Sequence, residues 1–254
     1  MACDPAVLID QAKCINACIP PGMMTAVNTS LLCQISNSGI AAFPSGLIHY
    51  WTLNEASGNS RADTIGTLLL TEDNGAVPNG VGKHLNAADF SPDGLISLRT
   101  TVAISLPASF AISVWFFLNS TPATNRLILE FDDNVNTPLL LELLSNGHLR
   151  FGLDWNIAAP ISSFDYGVIS LSAWHLAVIN VSATSYGISV DGGAFNNTVY
   201  SHAAWNPVEI SLSSNGVLGE DGIDGKIDEF GMYNRVLLQQ EAINLWNNGA
   251  GLFP

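Results

Sequence analysis

The chain predicts an all-β main domain, a sandwich or a barrel, carried behind a small N-terminal helical hairpin, and three features point there. FAISVWFF alternates Phe110, Ile112, Val114 and Phe116 with Ala111, Ser113, Trp115 and Phe117, a period of two that suits a strand buried on both faces. LILEF, LLLELL, HLRFGL and YGISVDGG repeat a short apolar run bounded by Asn, Asp, Gly or Pro. SNGH at Ser145–His148 and DGG at Asp191–Gly193 read as tight hairpin turns, because Asn-Gly and Asp-Gly accept positive φ at little cost.

In chain order, residues 1–35 form a first module. Asp4 before Pro5 supplies a capping side chain and a preset φ for a helix running to about Ala17. Pro20-Pro21-Gly22 ends it, and Met23–Ile35 supports a second helix. All four cysteines, Cys3, Cys14, Cys18 and Cys33, lie here, and the two-residue spacing of zinc ligand pairs is missing. Buried free thiols and disulfides both remain open, and Cys3 with Cys33 is the expected bridge if one forms. Residues 36–45 read as a linker, and residues 46–254 as the main β domain. Trp51, Trp115 and Trp174 sit in strand patterns and are expected in its core.

Composition restricts function. A formal charge of −14 with 8 Lys and Arg opposes contact with a phosphate backbone, so no nucleic-acid partner is expected. Charged residues are 12% and apolar ones 48%, a sparse surface charge that implies burial against further copies of the chain. Thr100–Asn125 and Tyr166–Val190 lack charged side chains, but prolines and strand spacing interrupt them, and no membrane insertion is expected. Met1 is followed by neither a basic start nor an apolar run, so either a secretory signal has been removed or export is not the route.

GKIDEFGMYNRVLLQQEAINLWNNG, Gly225–Gly249, resembles the closing signature of laminin-G-like, concanavalin A-like jelly rolls, whose last core strand reads G-x-I-D-E-V-R-I-Y-N-R-A-L before a short helix. GLIHYWTLNEASGNSRADTIG, Gly46–Gly66, resembles the family's opening strand, and VGKHLNAADFSPDGLISL, Val81–Leu98, and FAISVWFFLN, Phe110–Asn119, resemble segments between them. The resemblance implies a lectin-like fold, an antiparallel β-sandwich jelly roll over residues 46–254. It also implies a structural Ca²⁺ on Asp228, with Asp63 and Asn54 as companions and Glu229 adjacent, although Asn54 replaces the family's Asp. The competing expectation is that Asp228 caps a turn or pairs with Arg235.

Glucanases of this fold carry E-x-D-x-x-E on one strand, and here Glu130-Phe131-Asp132 is followed by Asp133, Asn134 and Val135, with Glu142 standing apart. No catalytic residue is therefore expected, and the scattered histidines show no adjacent nucleophile motif. Aromatic residues beside polar ones are the natural sugar platform, which singles out Asp154, Trp155, Asn156, Tyr166 and Trp205. The opening 35 residues are similar to short Cys-containing segments of tailed-bacteriophage structural proteins. That resemblance implies a virion decoration or fibre protein, assembled in host cytoplasm, docked to other virion proteins through its N-terminal segment, oligomeric (a trimer suits a fibre) and able to meet host glycans. The alternatives are a secreted or cell-surface carbohydrate-binding module and a glycoside hydrolase.

Overall fold

A computed structural model describes residues 42–91, 94–100, 102–133, 137–155, 162–201, 205–214 and 222–254. The chain divides into two compact units, Met1–Ala42 and Phe43–Pro254. The expected helical hairpin, Cys3, Cys33 and Asn156 lie outside the described residues.

Among the described residues the strands are β1 (Leu47–Trp51), β2 (Arg61–Ala62), β3 (Leu69–Asp73), β4 (Asn79–Val81), β5 (Asn86–Asp89), β6 (Ser97–Thr100), β7 (Phe110–Leu118) and β8 (Arg126–Asp132). They continue as β9 (Thr137–Leu143), β10 (His148–Trp155), β11 (Ser162–Val168), β12 (Trp174–Ser182), β13 (Ser185–Val190), β14 (Asn196–Val199), β15 (Glu209–Ser213) and β16 (Gly225–Tyr233). Helix α1 (Gln239–Trp246) follows. The first sheet runs β14-β13-β12-β7-β16-β5-β4, with β1 also paired to β16, and the second runs β11-β10-β9-β8-β15-β6-β3-β2. Among the described residues the pairings between these strands are antiparallel, and one isolated bridge, Leu127 to Gly222, is parallel.

The alternation along β7 explains how the layers assemble. Phe110, Ile112, Val114 and Phe116 join the main core between the sheets, against Leu129, Phe131, Leu141 and Phe151 of the second sheet. Ala111 and Trp115 face the other way, into a smaller cluster with Leu176, Val178, Tyr233, Leu237, Ala242 and Leu245. Each such large side chain contributes roughly 1.5–3 kcal/mol on burial. Trp51 lies in the main core, while Trp174 is only partly buried at the edge of the smaller cluster.

Helix α1 covers that smaller cluster because its sequence supplies both ends. The Glu241 carboxylate accepts the Leu238 N–H at 2.8 Å and forks onto Arg235, satisfying the helix start. Asn247 at φ 47° and Gly249 at φ 82° turn the chain back in the left-handed region. Trp246 stacks on Trp115 at 5.3 Å. Both expected hairpin turns form: Gly147 takes φ 81° between β9 and β10, and Asp191-Gly192 take φ 54° and 69° after β13.

Candidate functional site

Asp154 at the end of β10 organises a polar, aromatic rim on the sandwich. Its φ of 52° is unusual for a non-glycine residue and is held by both carboxylate oxygens. Trp205 Nε1–H donates to Oδ1 at 2.7 Å, and the Tyr200 hydroxyl donates to Oδ2 at 2.8 Å. Tyr186 stands edge-on to Tyr200 at 6.2 Å, and its hydroxyl meets Ser162 Oγ at 2.8 Å. Burial, then the hydrogen bond to Asp154 and its charge, push the Tyr200 phenol up to about 12.

This arrangement revises the sugar-platform expectation. Trp205 is 8% exposed and packs edge-on against Phe110, so its ring belongs to the core and its N–H is the part that serves the rim. The half-buried ring at the rim is Tyr200, which residue-by-residue reading missed because Val199-Tyr200-Ser201 carries no acid beside the tyrosine. Tyr166 stands elsewhere, four residues along β11 from Ser162, and packs partly against the core. Trp155 is the last residue of β10.

The expected metal residues Asp63, Asn54 and Asp228 are each engaged by hydrogen-bond donors. Asp63 Oδ1 accepts N–H groups of Tyr50, Ile65 and Gly66, and Oδ2 meets His49 Nδ1 at 2.6 Å and the Leu68 N–H. Asn54 Oδ1 accepts the Asn86 N–H at 2.8 Å. Asp228 Oδ2 accepts the N–H groups of Lys83 and His84 at 2.7 and 3.0 Å, and Oδ1 that of Glu229. Backbone N–H groups thus face these oxygens and pin two loops, residues 65–68 and the β4–β5 connection at 83–86. Among the described residues no three His, Cys, Asp or Glu side chains converge as metal donors. Asp228 is a loop cap, and Arg235 pairs with Glu241 instead.

β16 carries a bulge between Asp228 and Gly231, with Glu229 at φ 49°, which turns two successive carboxyls into the protein. Burial pushes Asp228 up to about 8, with the charge of Glu229 adding to it, against the pull of its three N–H donors. Glu229 contacts the Tyr50 hydroxyl and lies 3.3 Å from His84 Nδ1, and burial raises its carboxyl too.

On the outer face of the second sheet, Glu130 accepts from the Thr137 hydroxyl at 2.8 Å. Glu142 takes Arg150 Nε at 2.5 Å, and Glu209 takes Arg99, which also holds Asp73. Glu130 opposes Leu140 while Glu142 opposes Leu127, so the two acids are diagonal neighbours on β8 and β9. A further polar group, Ser170–His175–Asp191, was invisible in sequence because its members are 5 and 16 residues apart and meet only through the β12–β13 pairing.

Two eight-stranded antiparallel sheets closed over one core, with an aromatic rim and acids held by partners, define a lectin-like jelly roll. Residues 91–243 match the Laminin_G_3 family, described as the concanavalin A-like lectin/glucanases superfamily, and the chain belongs to that superfamily. Among solved structures it is similar to Trypanosoma rangeli sialidase, at 18% identity and TM-score 0.57 over 83% of this chain and 34% of that one. It is also similar to the binding domain of botulinum neurotoxin serotype D/C, at 16% identity and TM-score 0.62 over 82% of this chain and 53% of that one. A structure titled for botulinum neurotoxin type C cell entry dependent on two ganglioside molecules matches at 16% identity and TM-score 0.58, over 84% and 52%. The chain thus spans about a third of the sialidase and about half of the neurotoxin domains. No curated protein matches.

Proposed function

We propose that this chain is a lectin-like module that holds glycans at the Asp154 rim and leaves their glycosidic bonds intact. The observation that carries this reading is the Tyr200 ring, fixed by Asp154 and flanked by Tyr186, Ser162 and Trp205 Nε1. A pyranose lays its C–H face on such a ring while neighbouring polar groups take its hydroxyls. Likeness to a ganglioside-dependent neurotoxin domain supports a glycan as ligand. The pairing of Glu142 with Arg150 and of Glu130 with Thr137 supports binding over cleavage, since hydrolysis needs one carboxyl free to protonate and its partner free to attack or activate water.

The setting we propose is a virion, with residues 1–35 docking the chain to other virion proteins, a reading supported by the similarity of that segment to bacteriophage structural proteins. A secreted carbohydrate-binding module is the second setting. A glycan array probed with labelled wild type and Tyr200→Ala tests the function. Selective binding that Tyr200→Ala abolishes, with no new reducing ends released, supports it. Binding untouched by Tyr200→Ala overturns the rim, and release of reducing ends that Glu130→Gln removes replaces the module with a glycoside hydrolase.

A further inference from the structure

Away from the rim, the loop before β12 and the turn after β13 bring together a hydroxyl, an imidazole and a carboxylate. His175 is 8% exposed, with its ring 5.7 Å from that of Phe116. Its Nδ1 lies 2.7 Å from Asp191 Oδ2, and its Nε2 lies 2.9 Å from Ser170 Oγ. Asp191 is itself fixed, because its Oδ1 accepts the Leu176 N–H at 2.9 Å and its own N–H donates to the Leu176 carbonyl at 2.9 Å. Ser170 is exposed to solvent. A reachable hydroxyl, a shielded base and a backbone-anchored carboxylate are the parts of an activated serine, which is recognised by geometry and roles whatever the order in the chain.

We propose that Ser170 is an acyl-accepting nucleophile, with His175 as its general base and Asp191 as the positioning residue, reactive toward activated esters and their fluorophosphonate analogues. Ser170 Oγ attacks the ester carbon as its proton passes to His175 Nε2. The new Oγ–C bond forms, the C–O bond to the leaving group breaks, and the departing alkoxide takes the proton back from Nε2. Water, deprotonated by the same nitrogen, then releases the acid and restores the hydroxyl.

The neighbourhood also sets when the base is free. The Ser170 carbonyl lies 3.1 Å from Nε2 and favours an N–H there, while Asp191 favours an N–H on Nδ1. Both demands together stabilise the doubly protonated ring. Burial acts to lower the His175 pKa, but the hydrogen bond and charge of Asp191 and the Ser170 carbonyl outweigh it, so the net shift is upward. Phe116 from β7 adds no charge. Tyr166 on β11, whose phenol is raised by burial and by the charge of Asp191, is a further titratable group facing this carboxylate. Loss of the Nε2 proton leaves a lone pair aimed at the Ser170 hydroxyl, so reactivity rises with pH. This activity stands apart from glycan binding at Tyr200.

The full chain is incubated with a fluorophosphonate probe across the histidine range, roughly pH 5 to 9, and the adduct is located by peptide mass spectrometry. An adduct on Ser170 is expected, forming faster as pH rises and absent from Ser170→Ala, whose thermal midpoint stays that of the wild type. His175→Gln is expected to slow labelling about 100-fold or more. Asp191→Asn is expected to move the midpoint of the pH profile downward, which a purely structural role would not do. No Ser170 adduct at any pH, or labelling at the same rate in His175→Gln, overturns the proposal.

Discussion

Replacing Asp228 separates a loop cap from a calcium ligand. In Asp228→Asn one side-chain oxygen still accepts the Lys83 and His84 N–H groups, but the amide NH₂ then faces the Glu229 N–H, leaving one buried donor without a partner. An orphaned buried donor costs about 1–3 kcal/mol, and because burial already pushes the Asp228 carboxyl up to about 8, the neutral amide gives up little charge at neutral pH, which holds the cost near the lower end. Asp228→Ala orphans all three donors and opens a void, for about 3 kcal/mol or more. A domain of this size loses about 2–4 °C of thermal midpoint per kcal/mol, so Asn lowers the midpoint by a few degrees and Ala by about 6 °C or more. Calorimetry in EDTA and in excess Ca²⁺ is the assay, since a bound cation stabilises the folded state by mass action. The cap account expects the same wild-type midpoint in both buffers. A midpoint that rises with Ca²⁺ in the wild type and not in Asp228→Asn would refute it.

Three further outcomes follow from the packing and the titrating groups. Trp115→Ala removes the ring stacked on Trp246 beneath α1, at about 3–5 kcal/mol, and near-ultraviolet circular dichroism should lose tryptophan signal along with the thermal midpoint. Gly192→Ala forces a side chain onto a φ of 69° and to within 3.1 Å of Trp246 Cβ, so it should loosen the docking of α1, read as faster hydrogen exchange across 239–246. The raised pKa of His175 means the folded state holds that proton more tightly than the unfolded chain. Its stabilisation is therefore full below the ordinary histidine value of about 6.5 and is lost as pH rises through the folded value, so the midpoint difference between wild type and His175→Gln should shrink with rising pH.

The sandwich was legible because burial dictates residue type directly. The alternation of Phe110–Phe117 named both faces of β7, Asn146-Gly147 and Asp191-Gly192 named their turns, and Gly225–Gly249 named the last strand and helix. The site was less legible, because polar partners are set by strand register and local motifs do not encode it. Asp154 and Trp205 were both singled out, yet their hydrogen bond, 51 residues apart in sequence, makes one a strut and the other core. The contact between Tyr50 and Glu229 spans 179 residues and depends on a bulge that no residue in IDEFG announces. Asp63 and Asn54 carry oxygens suited to a metal, and only the backbone N–H groups facing them show that those oxygens are already used.

Calorimetric titration of the strongest array ligand, in EDTA and again in Ca²⁺, followed by mass analysis of the recovered glycan, tests the central claim most directly. The account predicts equal affinity in the two buffers and a glycan returned unbroken. Affinity that vanishes in EDTA, or a glycan recovered in fragments, would contradict it.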